Sequence, residues 1–148
     1  MMKKRIIGAA IAFVALVMVF FLPIGHMGGT ELTTYYPDGP VTTTTPSVYY
    51  SVAELLLSSD SLPAEMAEKV QVYTTVWMVL LIFPVFGIVA NLIGKLRVLA
   101  AWLMLIPFLW GLLPHGIGVW VYGALTVVLI VYSMVIKIKE KKQLQINQ

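Results

Sequence analysis

The chain has 148 residues, of which 59% are hydrophobic and only 11% charged, with a net charge of +3 and no cysteine. That length suits one domain, and the apolar excess excludes an ordinary soluble protein, so the sequence reads as an integral membrane protein. The missing cysteines exclude disulfides, thiol nucleophiles and thiolate metal sites, and cations confined to short clusters beside apolar runs argue against a nucleic-acid surface.

Met1 to Arg5 is a basic flank, and Ile6 to Ile24 is an apolar run of about 19 residues. At ~1.5 Å per residue it nearly matches a ~30 Å hydrocarbon layer, so residues 1–24 are expected to hold the flank and a first transmembrane helix. A cleaved signal peptide is the alternative. Its apolar region would be shorter and end in an A-x-A-like site, whereas this run ends Leu22-Pro23-Ile24-Gly25-His26. Gly8, Ala12 and Ala15 recur at helical spacing, where small residues let another helix approach; alanine is also simply common in spans.

Residues 25–69 change to polar and turn-forming types and are expected to form an extracytoplasmic α+β insertion. Thr30 to Tyr36 and Val41 to Thr45 favour extended chain and flank Pro37-Asp38-Gly39-Pro40, which predicts a β-hairpin. Pro40, lacking an amide hydrogen, is expected to exclude a two-residue closure and to mark an edge strand. Ser51-Val52-Ala53-Glu54 fits a capping box and predicts a short helix ending near Ser58. Ser61 and Pro63 mark a further helix start, with Glu65 and Lys69 as an i,i+4 pair.

Residues 70–94 give the second span, residues 95–97 a cytoplasmic turn, 98–113 the third span, 114–118 an outer turn, 119–136 the fourth span and 137–148 a basic cytoplasmic tail, of which Gln143 to Gln148 are expected to be mobile. Gly87, Ala90, Asn91 and Gly94 share one face of the second span, with the Asn91 amide expected to bond across to another helix. Pro84 and Pro107 are expected to bend their helices. Trp77, Trp102, Trp110 and Trp120 are expected as interfacial anchors. In this layout nine of the ten cations share one side with a single carboxylate, Glu140, while Lys69 faces six carboxylates on the other. Lys and Arg bias places both termini in the cytoplasm of a multi-pass cell-membrane protein.

The fragment Asn91-Leu92-Ile93-Gly94 resembles a piece of a span in small four-helix fluoride channels, but the span-embedded arginine and phenylalanine-bearing span of that family have no counterpart, and the reading is set aside. The layout as a whole resembles claudins: cytoplasmic termini, a first outer loop of about fifty residues with strands and a short second outer loop. The claudin loop signature of Trp, Gly-Leu-Trp and paired cysteines is absent, so the likeness implies topology alone. The expected fold is an all-α membrane protein, a four-transmembrane-helix bundle with a β-hairpin and short helices inserted between its first two helices.

Chemistry is hard to find in these residues. No expected span contains an ionisable group, which removes the usual means of proton-coupled transport or voltage sensing. His26 and His115 fall at outer span ends, where interfacial hydrogen bonding competes with a metal-site reading that lacks the normal ligand spacing. No G-x-S-x-G, H-E-x-x-H or phosphate-binding glycine loop occurs. No catalytic, cofactor-binding or metal residues are therefore expected. The sequence points to a non-enzymatic protein that works by association in the bilayer, with a membrane-protein partner or further copies of itself. A small oligomeric channel or carrier lined by Asn91, Thr126 and Ser133 is the alternative.

Overall fold

A computed structural model of the protein describes residues 2–27, 31–44, 47–57, 67–111 and 116–146. The uninterrupted apolar run after the basic flank folds as α1 (Met2–Phe21) and stops where Pro23 precludes another turn. Two further helical stretches, Lys69–Ile93 and the one beginning at Ile117, are also long and apolar enough to cross a membrane. A shorter apolar stretch, Arg97–Gly111, lies between them.

The prolines divide these stretches at the predicted places. Pro84 has no N–H for the carbonyl four residues earlier, and the second stretch breaks there into α3 (Ala67–Leu80) and α4 (Ile82–Ile93). Pro107 likewise withholds a bond from Leu103, separating α5 (Arg97–Leu103) from α6 (Leu105–Gly111). At this second break the Met104 carbonyl accepts the Tyr122 hydroxyl at 2.9 Å. Gly94 closes α4 in a left-handed conformation, φ +80°, and Leu96 adopts φ +57° before α5 starts. These two residues turn the chain back within the short Gly94-Lys95-Leu96 connection.

The last helix, α7 (Ile117–Ile146), is 30 residues long. Gln143 to Ile146, expected in a mobile tail, continue it. No glycine or proline follows Gly123, so nothing in the backbone ends the helix. Glu140, just before these residues on α7, pairs with Arg97 of α5.

Among the described residues between α1 and α3 are two small antiparallel sheets and one short helix. β1 (Gly25–Met27) pairs with β4 (Val48–Tyr50), and β2 (Glu31–Tyr36) with β3 (Gly39–Thr44). The second pair is nested inside the first along the chain. Its register runs from Tyr36 opposite Gly39 to Glu31 opposite Thr44, leaving Pro37-Asp38 as the connection and Gly39 at φ +123°. Pro40 does not prevent this two-residue closure. It stands opposite Tyr35, and because adjacent antiparallel pairs alternate between bonded and non-bonded, the position beside the closing pair asks no N–H of it.

The helix α2 (Val52–Leu57) starts on the predicted box. The Ser51 N–H donates to Glu54 Oε2 at 2.7 Å and the Glu54 N–H to Ser51 Oγ at 3.2 Å. Too short to hold alone in water, α2 buries Val52 and Leu55 against the bundle, and Thr74 of α3 donates its hydroxyl to the Leu55 carbonyl. The helix start expected at Ser61 and Pro63, and the Glu65–Lys69 pair, lie outside the described residues.

The helix α1 is central, packing along both α4 and α7, while α5 bridges α4 and α7. Buried Ala12, Ala15, Val19, Trp77, Met104, Tyr122 and Leu129 form the core, which continues through Ile24 and Tyr50 to Val52 and Leu55 of the insertion.

Candidate functional site

Three groups of residues could carry function: the small-residue faces, the buried hydroxyls and amide, and the β insertion. The first is used up inside the chain. Gly8, Ala12 and Ala15 of α1 are buried, as are Gly87, Ala90 and Asn91 of α4. A Cβ at Gly8 would overlap the Asn91 side-chain oxygen, and one at Gly87 would overlap the Met104 sulfur and stand 3.7 Å from Ala12 Cβ. The two faces therefore meet each other. Gly94 is partly exposed, with Arg5 of α1 lying over it.

Asn91 does not bond across to a neighbouring helix. Its Nδ2 donates to the Gly87 carbonyl of its own helix at 2.8 Å, leaving its oxygen toward Gly8. A small side chain below an amide is suited to this: the bond one turn back satisfies the donor while the glycine on α1 makes room for the rest.

Thr126 and Ser133 lie two turns apart on α7, and each is fully buried with a hydroxyl that has no hydrogen-bond partner among the described residues. With Asn91 at 1% exposure, a path along these three residues would require the packed faces of α1, α4 and α7 to part.

The tryptophans divide. Trp102, Trp110 and Trp120 are exposed at 51%, 41% and 56%, whereas Trp77, grouped with them from the sequence, is 1% exposed, its indole N–H without a partner among the described residues. Trp120 packs edge-on against Phe108, whose ring lies on Gly123.

The β insertion has a buried root and an exposed tip. At the root the Ile24 N–H donates to the Tyr50 carbonyl, and the Gly116 N–H to the Ile24 carbonyl, each at 2.9 Å; the Gly118 N–H reaches Pro23 at 2.8 Å. These bonds tie the insertion to the first turn of α7. Tyr50 is buried there with its ring 5.9 Å from that of Tyr73, and burial, then the neighbouring Tyr73, pushes its phenol well above the ordinary value. His26 lies near Tyr49, ring to ring 6.0 Å. His115 is outside the described residues, as is any approach of the two histidines. Among the described residues no three His, Asp or Glu side chains come together.

At the tip every residue of β2 is exposed, and so is nearly all of β3. The pairing puts Leu32, Thr34, Tyr36, Val41 and Thr43 on one face. The other carries Glu31, Thr33, Tyr35, Thr42 and Thr44, with a 3.1 Å hydroxyl bond between Thr33 and Thr42. Between Gly25 and Leu57 there is no Lys or Arg, against Glu31, Asp38 and Glu54. The result is an acidic two-stranded projection with Leu32 and Val41 on one face among hydroxyl-bearing side chains, a more hydroxyl-rich opposite face, and both strand edges unpaired among the described residues.

The chain matches no protein-family model, no curated protein and no solved structure.

Proposed function

We propose that this is a non-enzymatic four-span membrane protein, both termini cytoplasmic, whose β insertion on the outer side recognises a partner as an accessory or assembly subunit. In this reading Arg97–Gly111 is the third crossing, shortened and bent by Pro107, and the basic ends of α1, α5 and α7 lie on the cytoplasmic side. The single observation that carries the role is the exposed β2–β3 tip. A lone two-stranded hairpin is marginally stable in water, and this one displays Leu32, Tyr36 and Val41 as exposed side chains, uncovered by any of the described residues. The small-residue faces being spent on α1–α4 packing, the tip is the better candidate for contact with another protein. Its acidity favours a partner, or a region of a second copy, whose outer surface is basic around an apolar centre.

Copurification in mild detergent tests this. Full-length protein should bring down a partner or a second copy, and Leu32→Ser combined with Val41→Ser should abolish capture while leaving the bundle's unfolding temperature unchanged. Undiminished capture by that double variant would overturn the role given to the hairpin.

The buried hydroxyls of Thr126 and Ser133, without a partner among the described residues, support a second reading, an oligomeric channel or carrier along Asn91, Thr126 and Ser133. Solute flux into proteoliposomes that vanishes with Asn91→Leu would favour it, and flux unchanged by that substitution would remove it.

A further inference from the structure

We propose that the cleft between α5 and α7 at the basic end of the bundle holds the phosphate headgroup of an anionic phospholipid. The cleft has a volume of about 490 Å³, within the ordinary range for small-molecule sites. Gly94 and Leu96 of the turn contribute to its lining, with Arg97, Leu99 and Trp102 from α5 and Lys137 and Glu140 from α7.

Arg97 is only 8% exposed and pairs with Glu140. Among the described residues that is the one hydrogen bond its guanidinium makes, through a single nitrogen. A guanidinium has five N–H donors in a rigid fork, so one carboxylate oxygen leaves most of the fork for an anion in the cleft. Lys137, one turn before Glu140 on α7, adds a second cation at the exposed rim. With Glu140 offset by Arg97, an entering phosphate meets one net positive charge from the lining.

The apolar part of the lining decides between a lipid and a soluble anion. Leu99 and Trp102 are each 51% exposed and follow Arg97 along α5, away from the basic turn and into the apolar stretch. A cationic mouth continuing into an exposed leucine and indole matches an amphiphile, phosphate first and acyl chain after. A free phosphate or an acidic peptide would leave the lower wall unused. This site is independent of the hairpin and requires only that α5 and α7 reach the headgroup layer.

Native mass spectrometry of the detergent-solubilised full chain, offered phosphatidylglycerol or phosphatidylcholine, tests the proposal. Phosphatidylglycerol should be retained over phosphatidylcholine, and Lys137→Gln should lower its retention roughly fivefold, as expected for one cation near a lipid phosphate. Lys139→Gln, on the opposite side of α7 and outside the cleft, should leave retention unchanged, and Trp102→Ala should reduce it. Equal losses from Lys137→Gln and Lys139→Gln would overturn the site in favour of diffuse attraction. Retention indifferent to Trp102→Ala, or displacement by glycerol phosphate at matching concentration, would overturn the lipid as its occupant.

Discussion

The absence of a side chain at Gly8 sets how closely α1 approaches α4. Because a Cβ there would overlap the Asn91 oxygen, Gly8→Ala forces either the helices apart or the amide out of its bond to Gly87. Overpacking of this kind costs about 1–3 kcal/mol, so Gly8→Ala should lower the unfolding temperature in detergent, whereas Ala10→Val on the exposed side of the same helix should not. Tyr122→Phe leaves the Met104 carbonyl without its partner and should destabilise by about 1 kcal/mol in the same assay. Helical spacing marks Gly8 and Asn91 as members of close-packing faces. Nothing in one sequence pairs those faces with each other, and the amide's choice of its own helix follows only once Gly8 is seen opposite. Trp77 was hidden for a similar reason: an indole suits both an interface and a core, and its depth is decided by what α3 packs against.

Elements whose signals are local were readable before the fold. Ser51 and Glu54, three apart ahead of an apolar run, specify a helix start by themselves, and the Thr- and Tyr-rich strands around Pro37-Asp38-Gly39 specify a hairpin. Ser51→Ala should cost about 1 kcal/mol and show as faster hydrogen exchange across Val52–Leu57 with little change in the rest of the bundle. The neighbouring strand β4 adds a pH dependence. Burial raises the Tyr50 phenol above its unfolded value of 10.0, so the folded insertion keeps a proton that the unfolded one gives up. The stabilisation is complete below that value and is lost as pH rises past it. Near-ultraviolet circular dichroism should therefore show the insertion loosening in strong alkali, and Tyr50→Phe should blunt that transition. The helical state of Gln143 to Ile146 was not legible in their polar composition; it follows from a chain with no glycine or proline after Gly123 to break the helix.

For the whole molecule, segregated charge is the sequence's plainest message, and the proposed orientation follows from it. The chain has no cysteine, so single replacements report topology cleanly. Ser47→Cys should react with a membrane-impermeant maleimide on intact cells and Gln143→Cys only after permeabilisation; the reverse pattern would invert the arrangement. The bonds joining Gly116 and Gly118 to Ile24 and Pro23, just beyond the first helix, were not readable, since they link backbone groups that carry no side-chain signature. They give α7 a mechanical character. At ~1.5 Å per residue its 30 residues measure ~45 Å, about half as long again as the ~30 Å apolar layer. This single rod is fastened near its start to the base of the strands and near its end to α5, with no loop between to absorb torque. In the proposed orientation, one uninterrupted helix joins the basic, α5-paired end to the base of the projection.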